Sequence, residues 1–376
     1  MKCILHIGTE KTGTTSLQAF LNLNRETLAE QGYLFTKSTG LQNNRTLPVA
    51  AYNADRRDDF THLHKIYSDK DLITYQTATI NALRAELESA RGIHTVIFSS
   101  EHIQSRLKTD EELSRLKDIL TSLGFQQISI LVYLRAPVEI ANSLYTTYVI
   151  YGSPLSIPPG PENKHWCNIC DHRNTITRFR KIFGMEAIIP RIYSKKDLVD
   201  GSTIIDFAQA IALPPLTEHY VMPKKKNQSM TAMGLEILHR INQEIPKFEE
   251  DQKLNPLRRN IAQYILKYLN YGDKYRMPAE LMRKYEDAFR ESNEWVRSEY
   301  FPHRQILFES SEISNGSQSS FQPAELDQIA KLISVLWLET YSPKPRFYSS
   351  RAYRILKTMW QQKRKFWESV KSIANR

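Results

Sequence analysis

Cysteine is nearly absent: Cys3, Cys167 and Cys170 are the only three in 376 residues. Three thiols cannot build the disulfide framework of a secreted domain. Long apolar runs are missing as well, and none approaches the roughly 20 residues that a membrane-spanning helix requires. The first apolar segment, Cys3-Ile4-Leu5-His6-Ile7, starts at residue 3, so neither a secretory leader nor an N-terminal anchor is expected. A reducing, cytoplasmic setting is the expectation. No internal repeat is present, so solenoids and propellers are set aside.

Acidic residues are scarce in one region only. The net charge is +10, yet residues 342–376 hold ten Lys/Arg against the single acid Glu368, so +9 of the charge sits there. The body is close to neutral, which argues against a nucleic-acid-binding body. In that tail Leu356, Met359, Trp360, Phe366, Trp367, Val370 and Ile373 fall largely on one helical face among the basic residues. Such a helix suits an anionic membrane surface, with a helix packed on the body as the alternative.

Apolar segments alternate with helical periodicity through the first half. Strands are expected at residues 3–7, 33–35, 96–98, 128–134 and 187–193, the last at an edge because of Pro190. Helices are expected after residue 14, ending at Gly32, and from Thr77. A further helix is expected behind the Thr109-x-x-Glu112 capping box, closed by Gly124, and another from Pro137. Residues 36–75 show little periodicity and read as an irregular insertion. Strands alternating with helices predict a three-layer α/β fold on a mostly parallel sheet. Residues 1–230 would form its core, 231–341 a helical C-terminal part of the same domain and 342–376 a basic amphipathic tail.

Directly behind the first strand stands Gly8-Thr9-Glu10-Lys11-Thr12-Gly13-Thr14-Thr15-Ser16. A strand, a Gly-bounded loop and a helix start turn backbone N–H groups around a phosphate-like anion. The run departs from the nucleoside-triphosphate loop G-x-x-x-x-G-K-[ST], because Thr14 follows the second glycine and the lysine comes earlier, at Lys11. Two more polar features, Glu101/His102 and Arg135, also fall at the carboxyl ends of expected strands, where ligands of parallel sheets bind. All three should meet on one rim.

Lys11-Thr12-Gly13-Thr14-Thr15 resembles the 5′-phosphosulfate loop of sulfotransferases that use 3′-phosphoadenosine-5′-phosphosulfate (PAPS). Arg135 with Ser143 resembles that family's 3′-phosphate site. The stretch from Arg191-Ile192-Tyr193 through Leu198 and Phe207, and Asn227-Gln228-Ser229, are similar to weaker blocks of bacterial, carbohydrate-type members. The resemblance covers roughly residues 1–240. It implies a P-loop-like sulfotransferase fold and sulfuryl transfer to a hydroxyl of a glycan, glycolipid or polysaccharide precursor. PAPS would be the cosubstrate, with no metal, and the enzyme could lie peripherally on the inner face of the plasma membrane. Lys11 would lie over the bridging oxygen, and Thr12, Gly13, Thr14, Thr15 and Ser16 would cradle the 5′ group. Arg135, Ser143, Asn227 and Ser229 would bind the remaining nucleotide. The base would be Glu101 or, as the alternate, His102.

Other readings remain open on the residues alone. A P-loop kinase or NTPase would need magnesium and a Walker lysine. A non-enzymatic protein acting on membranes or nucleic acid would work through its tail. His165-Trp166-Cys167-Asn168-Ile169-Cys170-Asp171-His172 packs four potential zinc ligands together but lacks a second half-site, and a loop followed by a helix is expected there. Lys224-Lys225-Lys226 is either a second phosphate contact or a solvated turn. Acceptor recognition would fall to residues 36–75, with His62 and His64, and to the loop 151–161.

Overall fold

The computed structural model describes residues 1–224, 230–249, 253–270, 272–309 and 322–341. Its apolar runs Cys3-Ile4-Leu5, Val96-Ile97-Phe98 and Ile130-Leu131-Val132-Tyr133-Leu134 are buried throughout, as strands covered on both faces must be. The first half runs β1 (Lys2–Gly8), α1 (Thr14–Leu23), α2 (Arg25–Glu30), β2 (Tyr33–Phe35), α3 (Thr46–Ala50), α4 (Asp59–Leu63), α5 (Asp69–Ser89) and β3 (Thr95–Ser99). There follow α6 (His102–Arg106), α7 (Asp110–Ser122), β4 (Gln127–Leu134), α8 (Pro137–Ile150), α9 (Lys164–Cys170), α10 (His172–Phe183), β5 (Ile188–Ile192) and α11 (Thr203–Ala210). The strands form one sheet in the order β2-β3-β1-β4-β5, and every pairing is parallel.

Alternate residues of each strand feed two different cores, the period-2 consequence of the pleat. Leu5, Phe98, Val132 and Leu134 pack with Leu47 of α3, Leu83 of α5, Leu116 of α7 and Phe179 of α10. Ile4, Ile97, Leu131 and Tyr133 meet Leu17 and Phe20 of α1, Leu28 of α2 and Phe207 of α11. The result is a three-layer α/β fold, as the alternation predicts. Pro190 faces Val132 on β5, which pairs only with β4, so its missing N–H costs no ladder bond.

A third apolar cluster joins α8 and α9 to the C-terminal helices α12 (Ala232–Glu244), α13 (Ile261–Tyr268), α14 (Ala279–Ala288) and α16 (Pro323–Tyr341). The remaining helix, α15 (Arg290–Tyr300), sends Val296 into the sheet-side core.

Three expectations are corrected. Residues 36–75 are not irregular: α3 and α4 lie within them, and α5 starts at Asp69 rather than Thr77, on a capping box between Ser68 and Asp71. Leu47, Val49 and Tyr52 of this stretch are core residues, held by an Arg45–Asp58 ion pair at 2.9 Å that also binds the Tyr52 hydroxyl. The first helix breaks at Asn24, whose amide donates to the carbonyls of Phe20 and Val221. The segment at His165 is a short helix rather than a loop, because the Asn163 side chain accepts from the N–H groups of His165 and Trp166.

Candidate active site

The order β3-β1-β4 sets the carboxyl ends of three adjacent parallel strands side by side, and the polypeptide leaving each of them is polar. Thr9 latches the loop after β1 to β4: its N–H and its hydroxyl both donate to the Tyr133 carbonyl, at 3.0 and 3.1 Å. Thr12 Oγ1 donates to the Thr9 carbonyl at 2.6 Å and closes the turn. Lys11 (φ 69°) and Gly13 (φ 77°) are left-handed, a conformation that costs a non-glycine residue about 1–2 kcal/mol. A Cβ on Gly13 would stand 2.9 Å from Thr203 Oγ1 and 3.0 Å from the Tyr193 ring, so the turn fits closely against β5 and α11.

Helix α1 opens on Gly13 with no side-chain cap and no acid in its first turn. By contrast α4, α5 and α7 open on the capping boxes of Asp58, Ser68 and Thr109. An uncapped start leaves first-turn amides and the positive end of the helix dipole for an anion. Thr14 is buried, Ser16 is half-buried and Thr15 is exposed beside those amides.

Lys11 sends its ammonium to α8, where Nζ donates to Thr147 Oγ1 at 2.7 Å. Thr147 in turn donates to the Ser143 carbonyl at 2.9 Å, one helical turn back. Burial lowers the Lys11 pKa, Glu10 and Glu101 oppose that shift, and Arg135 adds to it. Arg135 leaves β4 and returns to the loop: Nη1 donates to the Lys11 carbonyl at 2.9 Å, and Nη2 to Glu139 at 3.0 Å. Its guanidinium lies 5.6 Å from the Tyr193 ring centroid. Its carbonyl accepts from Nε2 of the buried His172 at 2.7 Å. Lys11, Arg135 and the α8 segment carrying Ser143 are therefore joined through two hydrogen bonds and Thr147, a residue that no local pattern singles out.

On the other side of the loop, Glu101 Oε2 accepts from Gln18 Nε2 at 2.9 Å and from Asn43 Nδ2 at 3.0 Å. His102 Nε2 stands 4.0 Å from Glu101 Oε1. Burial drives the His102 pKa down to about 3, and Arg45 and Arg106 push it the same way. Glu10, unremarked in the motif, turns its carboxyl toward α6, where Oε1 is shut from solvent without a hydrogen-bond partner.

Asn227, Ser229, Lys225, Lys226 and the tail 342–376 lie outside the described residues. Among those described, no group of three or more His, Cys, Asp and Glu side chains could hold a metal ion, and no helix is long and apolar enough to cross a membrane. Cys170 Sγ instead contacts the Pro137 carbonyl at 3.7 Å inside the helical core. Two open clefts, one lined by Gln31 and Tyr220 and one by Gln126 and Phe183, include residues just ahead of β2 and β4. They lie at the amino-end rim, away from the loop.

No family model matches the chain. A 162-residue segment is 28% identical to an uncharacterized protein of Archaeoglobus fulgidus, covering 42% of this chain and 43% of that protein. The chain thus matches less than half the length of that relative. Among solved structures, a sulfotransferase from Alicyclobacillus acidocaldarius is distantly similar, at 13% identity and a TM-score of 0.35, over 63% of this chain and 88% of that one. So distant a likeness carries no argument about chemistry, and the functional reading rests on the site.

Proposed function

We propose that the protein is a sulfotransferase that moves a sulfuryl group from PAPS to a hydroxyl, on a glycan or glycolipid acceptor. The observation that carries the reading is the junction of Arg135 with the Lys11 carbonyl at the mouth of an uncapped α1. Two cations, Lys11 and Arg135, then belong to the same loop and strand end as the uncapped first turn of α1. Thr14 occupies the place where a triphosphate loop has its lysine, which disfavours the kinase reading. A donor without a γ-phosphate needs no magnesium bridge.

In this reading the first turn of α1 and the hydroxyls of Thr14, Thr15 and Ser16 hold the 5′-phosphosulfate. Arg135 forks onto the 3′-phosphate with Ser143 beside it. Lys11 meets the oxygen that takes up the electron pair as the S–O bond to phosphate breaks. Single donors in such positions are worth about 3–4 kcal/mol of transition-state stabilisation. The basic segment 342–376 would hold the enzyme against an anionic membrane surface where a lipid-borne acceptor resides.

Calorimetry with 3′,5′-adenosine bisphosphate in the absence of magnesium tests the reading. Binding is expected, weakened about 10- to 100-fold in Arg135→Ala, the worth of a charge-assisted bond of about 1.5–3 kcal/mol. No binding, or equal binding by the variant, overturns it.

A further inference from the structure

Six of the unpartnered polar atoms among the described residues belong to segments that meet at Glu10 and Glu101. Glu10 Oε1, Asn43 Oδ1, Ser100 Oγ, His102 Nδ1, Ser105 Oγ and Arg106 Nε are all buried without a hydrogen bond. They belong to the loop after β1, to the segment 100–106 after β3, and to the Asn43 side chain that meets Glu101. The large majority of buried side-chain polar atoms have a partner, so six without one on neighbouring segments mark where a polar guest or ordered water completes the bonding. Both signs of hydrogen-bonding partner are present, an acceptor on Glu10 and a donor on Arg106. A hydroxyl, which donates and accepts, answers both.

Three groups there could take a proton, and the geometry separates them. Glu101 has one oxygen occupied by Gln18 and Asn43, and its Cβ would lie 2.8 Å from any Cβ placed on Gly8. It is built into the loop's support. His102 is an imidazole of low basicity, because burial lowers its pKa and the charges of Arg45 and Arg106 lower it further. Glu10 has an oxygen free of partners and directly precedes Lys11, whose left-handed backbone sends the two side chains to different helices. Ser105 Oγ lies beside the carboxyl without completing a hydrogen bond of ordinary geometry.

We propose that Glu10 is the catalytic base that takes the proton from the acceptor hydroxyl, where Ser105 and Arg106 stand against it. The proposal rests on the sulfotransferase reading above. The acceptor O–H bond breaks and its proton passes to the Glu10 carboxylate. The oxygen forms the new bond to sulfur as the bond between sulfur and the 5′-phosphate oxygen breaks, and that electron pair stays on the phosphate beside Lys11. Burial raises the Glu10 pKa, Ser105 and Arg106 pull it back, Glu101 raises it and Lys11 lowers it. The charges or titratable groups of Tyr148 on α8 and Cys170 on α9 also feel it. A carboxylate raised in this way is a stronger base nearer neutral pH.

The test uses the full chain, with glycerol as hydroxyl probe and release of 3′,5′-adenosine bisphosphate from PAPS as the readout. Glu10→Gln should turn over about 10²- to 10⁴-fold more slowly and lose the acid limb of the pH–rate profile. Its bisphosphate affinity should stay within twofold of wild type, and Glu10→Asp should recover part of the rate. A second measurement needs no acceptor: a protonated-carboxyl infrared band titrating above the ordinary carboxylate range should vanish in Glu10→Gln and persist in Glu101→Gln. Loss of that band from Glu101→Gln instead, or unchanged turnover in Glu10→Gln with nucleotide still bound, overturns the base assignment alone. Failure of the wild-type protein to bind the bisphosphate overturns the donor reading and the base with it.

Discussion

Replacing Gly8 by alanine measures how firmly the loop between β1 and α1 is held. Gly8 leaves β1 at φ 82°, and an added Cβ would lie 2.8 Å from Glu101 Cβ and 3.0 Å from Glu101 Cα. Carbon atoms prefer about 3.5–4.0 Å. The obstacle is the Cβ and Cα of Glu101, two residues past β3 and directly after Ser100, whose N–H donates to the His6 carbonyl of β1, so a side-chain rotation cannot relieve it. Left-handed backbone costs an alanine about 1–2 kcal/mol, and overpacking of this kind adds about 1–3 kcal/mol. Together Gly8→Ala should lose roughly 2–5 kcal/mol. Gly124 provides the control: it is left-handed as well, at φ 88°, but nothing lies within 4 Å of its added Cβ. Gly124→Ala should therefore lose only the backbone part, about 1–2 kcal/mol. At about 2 °C per kcal/mol for a domain of this size, thermal melts should fall by roughly 4–10 °C for Gly8→Ala and about 2–4 °C for Gly124→Ala. Nucleotide binding should weaken only in the former. Equal melting shifts in the two variants would show that the loop yields to the methyl group, and the rigid-cradle argument would fail.

Two other perturbations test the support behind the rim. Asp206 is buried and is bound by Arg191 Nε at 2.9 Å and by the Tyr133 hydroxyl at 2.8 Å. Asp206→Ala strands a guanidinium and a phenol and should cost about 3 kcal/mol in chemical denaturation, the low end for a broken buried pair because Arg191 keeps some exposure; a cost below about 1 kcal/mol would contradict this. His172 is fully buried, and burial lowers its pKa from 6.5 to about 4, although the Arg135 carbonyl that accepts from it and Asp171 pull the other way. Between those values the unfolded chain binds the proton and the folded one does not, so stability declines as pH falls below 6.5 and continues to decline to about 4. The effect is on the order of 3 kcal/mol across the window. His172→Gln should flatten the melting-temperature profile there, and superimposable profiles would remove His172 as the cause.

Much of the fold was legible because buried parallel strands are continuous apolar runs bounded by Gly, Pro and capping residues. Cys3–Ile7, Val96–Phe98 and Ile128–Leu134 carry that signature, and Pro190 marks an edge by the donor it lacks. Helices α3, α4 and α9 were not legible. Each spans seven residues or fewer, too short for periodicity to show, and each is held by side-chain caps or distant packing rather than by propensity. The loop between β1 and α1 stood out because glycine spacing and hydroxyl content are local properties. Thr147 and Glu10 did not: one joins Lys11 across 136 positions, and the other is a loop carboxylate whose ordinary place is in water.

The residues by themselves determined the strand-loop-helix unit, the strand end that carries Arg135 and the absence of a Walker lysine. All are decided by neighbours within one or two turns. Only the tertiary structure decided what those groups face. Sheet order brings Arg135 to the Lys11 carbonyl, α8 supplies the partner of the ammonium, and α6 closes over Glu10. Hydrogen-bond geometry and desolvation depend on segments packed together from distant parts of the chain, so a shifted pKa or a buried unpaired oxygen exists only once the fold has formed.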